Sequence, residues 1–445
     1  MDTTIWAAGW FGWAFFLFSA SLACAQSRAS ESSSRSDLAT PAARTTLHEA
    51  VARALARNPT YATALLEARR ADAVVRETKA AWLPTIYSYG SVTHLDGNRL
   101  EGGNIVLAQN ELAANVTVTV PLVMTRQWLT TAESRMGADA IQATSADVRR
   151  LVAYSTGQAY LAVYAQKLVI QVDESARDTA SRHAAYAHQR YAGGVGNSID
   201  EVRAVQQAAT DDTLVQQAYA LLVSDEEALG IVVGADGPLD TAEEPILAEP
   251  PGLQEALALA ARRTDVHALE LRSQAARKTV DDDWSDYAPS LVGVAQPFYQ
   301  NPATPTLPLG GYSLELLLTV PLYDGGLRYG QHQERSVLRD EASVAYDAGL
   351  RQARSDVRTA FEALRRADDA LRSARDAAQL ASRALDLANI AYRGGATTNI
   401  EVIDAEQAAR DAATQAEMAA DGARQARLTM LVAADRFPER RGNST

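Results

Sequence analysis

The chain has 445 residues, of which 55 are acidic and 42 basic, so its net charge is −13. Binding to a phosphate backbone needs an excess of basic side chains, so this composition argues against a nucleic-acid partner. Cys24 is the only cysteine, which excludes a disulfide bond within the chain.

The N-terminal residues predict an export signal. A strongly apolar run extends from Trp6 to Ala23 and ends in the A-x-A pattern of Ala23 to Ala25. We therefore assign residues 1–25 to a signal peptide and the Ser-rich residues 26–44 to a disordered leader. Two alternatives are a membrane anchor and a lipoprotein acylated at Cys24, although Ser21 stands where a lipobox commonly has Leu.

The rest of the chain repeats itself. The segment from Tyr191 to Asp200 returns from Tyr392 to Glu401, a shift of 392 − 191 = 201 residues. Both repeats contain a proline-free stretch of the same length (238 − 121 = 438 − 321 = 117), which leaves room for very long helices. We divide the chain into a first repeat (45–240), a second repeat (241–436) and a tail (437–445). Each repeat is expected to contain a helix, two strands, a long helix, a glycine turn and a returning helix.

Four segments are predicted as strands. They cover residues 85–95, 112–122, 290–300 and 311–322. In the fourth, Tyr312, Leu314 and Leu316 alternate with polar residues such as Ser313 and Glu315. This alternation is typical of membrane barrel strands, and also of a soluble half-buried sheet. Four strands leave two open edges, which lipid does not tolerate, so in a membrane several copies would have to complete the barrel. Three copies would supply twelve strands.

The proline-free stretches predict long helices in lateral contact. A helical pattern from Met124 to Ala192 would span roughly 100 Å. In the second repeat, apolar residues recur every seven positions, which indicates a coiled coil. The residues on this seam are Leu350, Val357, Leu364, Leu371, Ala378, Leu385 and Tyr392. We therefore expect each long helix to form an antiparallel hairpin with its returning helix. The alternative is a soluble periplasmic coiled-coil adaptor, which would leave the four strands without a role.

Glycine turns separate each long helix from its returning helix. The glycines are Gly193, Gly194, Gly394 and Gly395. They permit the positive φ angles at which a helix can stop and the chain can reverse. The residues expected to cap the returning helices are Asn197 or Ser198 in the first repeat, and Thr398 or Asn399 in the second.

Acidic residues follow both turns. Asp200 and Glu401 fall in the first turn of the returning helices, and Asp404 lies about one turn further on. Favourable interaction with the helix dipole is sufficient to explain such acids. A functional hypothesis is that they form a ring of carboxylates at a pore entrance, where they would favour cations.

No catalytic constellation is visible, so we expect no enzymatic activity, no cofactor and no metal site. His183 and His188 are five residues apart, a spacing that does not put both on one helix face, and we expect them on a solvated surface. The acidic run from Asp281 to Asp283 is likewise expected to be a solvated face.

Taken together, these patterns resemble the TolC-like outer-membrane efflux protein family over roughly residues 45–435. The motifs that carry the resemblance are Asn58-Pro59, Trp82-Leu-Pro84, Val320-Pro-Leu-Tyr-Asp-Gly-Gly326, Tyr392-Arg-Gly-Gly395 and Ile400-Glu-Val-Ile-Asp-Ala405.

The resemblance implies an α+β membrane protein in the outer membrane of a Gram-negative bacterium. It implies a homotrimer with a twelve-stranded outer-membrane β-barrel and a periplasmic barrel of α-helices, docked to a periplasmic adaptor and an inner-membrane transporter. Asp200, Glu401 and Asp404 match the family's acidic positions at the tunnel entrance. The function implied is a passive export duct in efflux or type I secretion.

Two positions depart from the family pattern. After Pro121 the first repeat continues Leu-Val-Met-Thr-Arg126 rather than with an aromatic residue and Asp-Gly-Gly. Thr397 stands where TolC itself has an arginine that links neighbouring hairpins.

Overall fold

The computed structural model describes residues 43–305 and 307–438. The predicted signal peptide, nearly all of the predicted leader and most of the predicted tail lie outside these residues.

Within the described residues the secondary-structure elements follow one another in two similar rounds. The helices are α1 (Leu47–Arg57), α2 (Pro59–Ala80), α3 (Thr125–Ala192), α4 (Ser198–Val233), α5 (Leu253–Ala260), α6 (Thr264–Asp281), α7 (Leu327–Arg393) and α8 (Asn399–Ala433). The strands are β1 (Ala43–Thr45), β2 (Thr85–His94), β3 (Arg99–Glu101), β4 (Asn104–Leu107), β5 (Asn110–Val123), β6 (Leu239–Thr241), β7 (Ser290–Asn301) and β8 (Gly310–Thr319).

Short strands mark the start of each round. β1 and β6 pair in parallel, with Ala43 opposite Leu239 and Thr45 opposite Thr241. This pairing holds the two starting points side by side. The boundary at 240/241 falls inside β6, and the predicted division into two structural repeats stays a prediction.

Four strands form one antiparallel sheet in the order β2-β5-β7-β8. The central pair, β5 and β7, joins the first round to the second, with Val118 opposite Ala295. The two outer strands, β2 and β8, each pair with one neighbour only. All four strands lie where the sequence predicts them. The small hairpin of β3 and β4 between β2 and β5 was not predicted.

One face of β8 is apolar and uncovered. Tyr312, Leu314 and Leu316 are 76%, 72% and 74% exposed. Residues two apart on a strand lie on the same face, so these side chains form one continuous apolar surface.

The long helices α3 and α7 have 68 and 67 residues. At a rise of 1.5 Å per residue each is roughly 100 Å long. α3 packs against α4, and α7 against α8, which gives the two antiparallel hairpins that the heptad pattern predicts. α3 also contacts α8, so the hairpins lie side by side.

The apolar core lies midway along the long helices, where the short helices pack on them. One cluster includes Tyr160 and Leu229, and another includes Val266, Val357 and Met430. Apolar burial is the main driving force of folding, so this central region anchors both hairpins. Within the described chain, no helix has both the length and the apolarity that crossing a bilayer requires.

Candidate functional site at the hairpin tips

Both long helices end in the same way. At the first tip the N–H of Val195 donates to the carbonyl of Arg190 at 3.0 Å, and the N–H of Gly194 donates to the carbonyl of Tyr191 at 3.0 Å. Ala396 and Gly395 make the equivalent bonds at the second tip. These paired bonds define a Schellman motif, in which one residue adopts the left-handed conformation.

Only the second glycine of each pair adopts that conformation. Gly194 and Gly395 have φ angles of +75° and +76°. Gly193 and Gly394 have φ angles of −79° and −77° and are right-handed helical. The positive φ expected of all four glycines is therefore wrong for the first of each pair.

The caps of the two returning helices differ. Asn197 caps α4, since its side chain accepts a hydrogen bond from the N–H of Ile199 at 3.1 Å. Thr398 occupies the cap position of α8 but makes no side-chain cap bond. Asn399, the other candidate, is instead buried and turned towards the first hairpin.

Of the three acids predicted to form an entrance, Asp200 lies in the first turn of α4, Glu401 in the first turn of α8 and Asp404 one turn further along α8. Glu401 and Asp404 are exposed, whereas Asp200 is half-buried. The side chain of Asn399 donates to the main-chain carbonyl of Asp200 at 3.1 Å, so the two tips are in direct contact. That these acids line a pore entrance stays a prediction. Thr397, at the position where TolC itself has an arginine, is half-buried in the second glycine turn.

His183 lies at the centre of this contact, which contradicts the expected solvated surface. It is 7% exposed. Its Nδ1 lies 2.9 Å from Oε1 of Glu406, and its Nε2 lies 2.7 Å from Oδ1 of Asn399. His188 is exposed, as expected, and pairs with Glu201 at 2.7 Å.

The surroundings of His183 favour its protonated form. Burial lowers the pKa of the imidazole, but the hydrogen bond and the charge of Glu406 raise it, helped by Asn399 and by the charge of Asp200. The result is a pKa above the ordinary value for histidine. His183 thus ties α3 to the first two turns of α8 through a pair of hydrogen bonds.

An aromatic contact supports the same junction from α7. Tyr392 is 6% exposed, and its ring centroid lies 5.5 Å from that of His183. The guanidinium of Arg190 lies 4.8 Å from the centroid of the Tyr392 ring and also donates to the Tyr392 carbonyl at 3.3 Å. Cation–π contacts of this kind are attractive, so the ends of α3 and α7 are held together.

Polar contacts continue between α4 and α8 away from the tips. Gln407 donates to Gln207 at 2.7 Å. Arg410 donates to Asp211 at 2.7 Å, and both Asp211 and Gln207 are buried. The distal halves of the two hairpins are thus joined by hydrogen bonds and ion pairs, in contrast to the apolar centre of the molecule.

A cavity of about 630 Å³ lies between the hairpins beside this polar contact. Its charged lining residues are Arg182, Asp211, Asp386, Arg393, Arg410 and Glu417. His183 and Glu406 form part of its wall.

Two of the three acids before Trp284 are buried, contrary to the expected solvated face, whereas Asp281 is exposed as expected. Asp282 and Asp283 are 3% and 9% exposed. Asp283 accepts hydrogen bonds from Arg335 and, at 2.6 Å, pairs with His332 at the start of α7. These contacts join the segment after α6 to the start of α7, next to β7. Among the described residues, no group of histidine and acidic side chains has the arrangement of a metal site.

The buried His183 could have been found from spacing. Ala180, His183 and Ala187 are buried at intervals of three and four residues, the phase of the helix seam. A polar side chain buried on that seam needs a hydrogen-bond partner. Its partners, Asn399 and Glu406, are more than 200 residues away and carry no local signal.

Comparisons with known proteins were made for sequence and for structure. Residues 254–435, which cover most of the second repeat, match the family model described as outer membrane efflux protein. No curated protein sequence is significantly similar to the chain.

Solved structures share the fold over nearly the whole chain. A structure of CusC, described as showing changes that accompany transmembrane channel formation, has a TM-score of 0.78 at 16% identity and covers 88% of this chain and 92% of its own. The outer membrane protein VceC of Vibrio cholerae has a TM-score of 0.75 at 18% identity, covering 87% and 95%. The open state of the MtrE outer membrane channel of Neisseria gonorrhoeae has a TM-score of 0.73 at 19% identity, covering 87% and 88%.

Proposed function

We propose that this chain is a TolC-like outer-membrane efflux protein and serves as the passive export duct of a tripartite efflux or type I secretion system. The family match in the second repeat carries the assignment. The fold shared with outer membrane channels extends it to both repeats. The family favours this function over the soluble adaptor considered as the alternative.

The four-stranded sheet supports a position in the outer membrane. It presents Tyr312, Leu314 and Leu316 as one exposed apolar face. The same chain continues into two hairpins of roughly 100 Å, long enough to reach far into the periplasm. A protein with both features can connect the two sides of the outer membrane without moving parts of its own.

Three copies would complete the channel. The edges β2 and β8 expose unpaired main-chain groups, which lipid does not tolerate. Pairing β8 of one copy with β2 of the next would give a closed barrel of twelve strands. The hairpins of the three copies would then form the wall of a helical tunnel.

The six hairpin tips of such a trimer would form the periplasmic entrance. Glu401 and Asp404 are exposed at these tips, and Asp200 is half-buried beside them. Carboxylates arranged around an opening attract cations. A periplasmic adaptor and an inner-membrane transporter are the partners expected from the family match.

The test combines fractionation with conductance. The full chain should partition with outer membranes, run as a trimer in mild detergent and form ion-conducting pores in planar bilayers. A stable detergent-solubilised monomer without a β-sheet signal in circular dichroism would contradict the duct. Recovery in the soluble periplasmic fraction would favour the adaptor.

A further inference from the structure

We propose that His183, Asn399 and Glu406 form a proton-operated latch that ties the tip of the second hairpin to the first. The latch is closed when His183 is an imidazolium ion and loosens when the proton leaves. Its effect on the tunnel entrance rests on the proposed duct function, whereas the latch itself is a property of the single chain.

The hydrogen bonds around His183 require two ring protons. The amide of Asn399 donates its Nδ2–H to the carbonyl of Asp200, so its Oδ1 faces Nε2 of the histidine. An oxygen can only accept there, so Nε2 has to carry a proton. Glu406, an acceptor when ionised, faces Nδ1 in the same way. With Glu406 ionised, only the imidazolium form of His183 satisfies both neighbours at once.

When His183 loses one ring proton, one of its ring nitrogens becomes an acceptor and faces another acceptor, so that hydrogen bond is lost. Rotation of the Asn399 amide would not help, because Oδ1 would then face the carbonyl oxygen of Asp200. Glu406 is 7% exposed, and a buried carboxylate without its partner is strongly unfavourable. The proton therefore remains on Nδ1, next to Glu406, and the bond to Asn399 is lost. Asn399 is the residue that reaches the first hairpin, so the loss falls on the contact between the tips.

Charged and titratable groups come from all four helices around His183 and the cavity beside it. They are Arg182, Tyr186 and Arg190 from α3, Asp200 and Asp211 from α4, Asp386, Tyr392 and Arg393 from α7, and Glu406, Arg410 and Glu417 from α8. Arg190 lies over the ring of Tyr392, and Arg410 bonds to Asp211. Glu406 pairs with His183, which lies 2.9 Å away.

The latch occurs once in each chain. Under the 201-residue shift, His183 corresponds to Ala384 and Glu406 corresponds to Val205. Neither of these can form an ion pair. Proton control therefore acts at the contact that α8 makes with the first hairpin, and the two tips of a chain are unequal.

Hydrogen–deuterium exchange of the full chain in detergent tests the latch. Protection of the tip segments 193–204 and 394–404 is measured between about pH 6 and pH 9, with rates corrected for intrinsic exchange. We expect protection to fall several-fold as pH rises through this range. His183→Gln should remove the pH dependence. The matched control His188→Gln, which removes an exposed histidine of the same helix, should retain it.

A second variant keeps the test decisive if His183→Gln does not fold. Glu406→Gln removes the charge that stabilises the imidazolium, so the midpoint of the protection change should move to lower pH. Protection in the wild type that is independent of pH would overturn the latch. A pH dependence that survives in His183→Gln, or is lost in His188→Gln, would also overturn it.

The two proposals can fail separately. Exchange that depends on pH through His183, together with an absence of pores in bilayers, would keep the latch and reject the duct. Pores of normal conductance with pH-independent exchange at the tips would keep the duct and reject the latch.

Discussion

Arg410 of α8 donates a hydrogen bond to the buried carboxylate of Asp211 of α4 at 2.7 Å. Asp211 is 3% exposed, so the ion pair lies inside the contact between the hairpins. It is one of several polar links between α4 and α8 in the distal halves of the hairpins. Stability there depends on satisfied charges as well as on buried apolar side chains such as Val215 and Val402.

We predict that Arg410→Ala destabilises the distal hairpins. Removing one partner of a buried ion pair leaves an uncompensated charge and costs about 3 kcal/mol. The matched control is Arg365→Ala, whose partner Glu362 is exposed, and it should cost under about 1 kcal/mol. Chemical denaturation followed by circular dichroism measures both. Equal losses in the two variants would show that the Asp211 pair is no more important than a surface pair.

The tip glycines should respond differently to alanine. Gly395→Ala forces a residue with a side chain into a φ of +76° and should cost about 1 kcal/mol. Gly394→Ala meets only ordinary contact, 3.5 Å from the Ile390 carbonyl, at a right-handed φ. It should be neutral or slightly stabilising. Limited proteolysis at the second tip distinguishes the two, and faster cleavage of Gly394→Ala would contradict the argument from φ.

Combined replacement of Asp200, Glu401 and Asp404 by alanine should weaken cation selectivity and block by divalent cations. The physical reason is the loss of negative charge at the proposed entrance. Planar-bilayer recordings measure both properties. Glu362→Ala, which removes an exposed acid far from the tips, is the control. If selectivity and block are unchanged, these acids serve only to cap helices.

Asp173→Asn should change how stability depends on pH. Burial raises the pKa of Asp173, and Arg410 offsets this only in part. A carboxyl group with a raised folded pKa lowers stability as pH rises from its unfolded pKa, about 4, through its folded value. The variant, which cannot ionise, should therefore gain stability at pH 7 and show little gain at acidic pH. Melting temperatures at the two pH values test this, and a variant that is less stable at pH 7 would contradict it.

Leu316→Arg should impair membrane insertion. Leu316 lies on the exposed apolar face of β8, and an arginine at the bilayer midplane of a barrel costs about 2–4 kcal/mol. Ser313→Arg, on the opposite face of the same strand, should insert normally. Recovery of each variant in the outer-membrane fraction measures the effect. Equal recovery would show that this face of β8 does not contact lipid.

Much of the fold could be predicted because its signals are local. Glycine pairs, proline spacing and two kinds of periodicity located the four main strands and both hairpins. The prediction failed where a polar side chain has a distant partner. His183 and the run at Asp282 and Asp283 were expected to be solvated, and both are buried in ion pairs.

The sequence by itself determined the order of the main elements and the two tight turns, because these depend on residues within a few turns of one another. Tertiary structure alone decided that β5 pairs with β7, and that His183 meets Asn399 and Glu406. Such contacts join residues about 200 positions apart, and they form only when helix packing and strand pairing bring them together. That packing also makes the two tips unequal, since the carboxylate that faces the buried histidine belongs to α8, and Val205 stands at the equivalent position of α4.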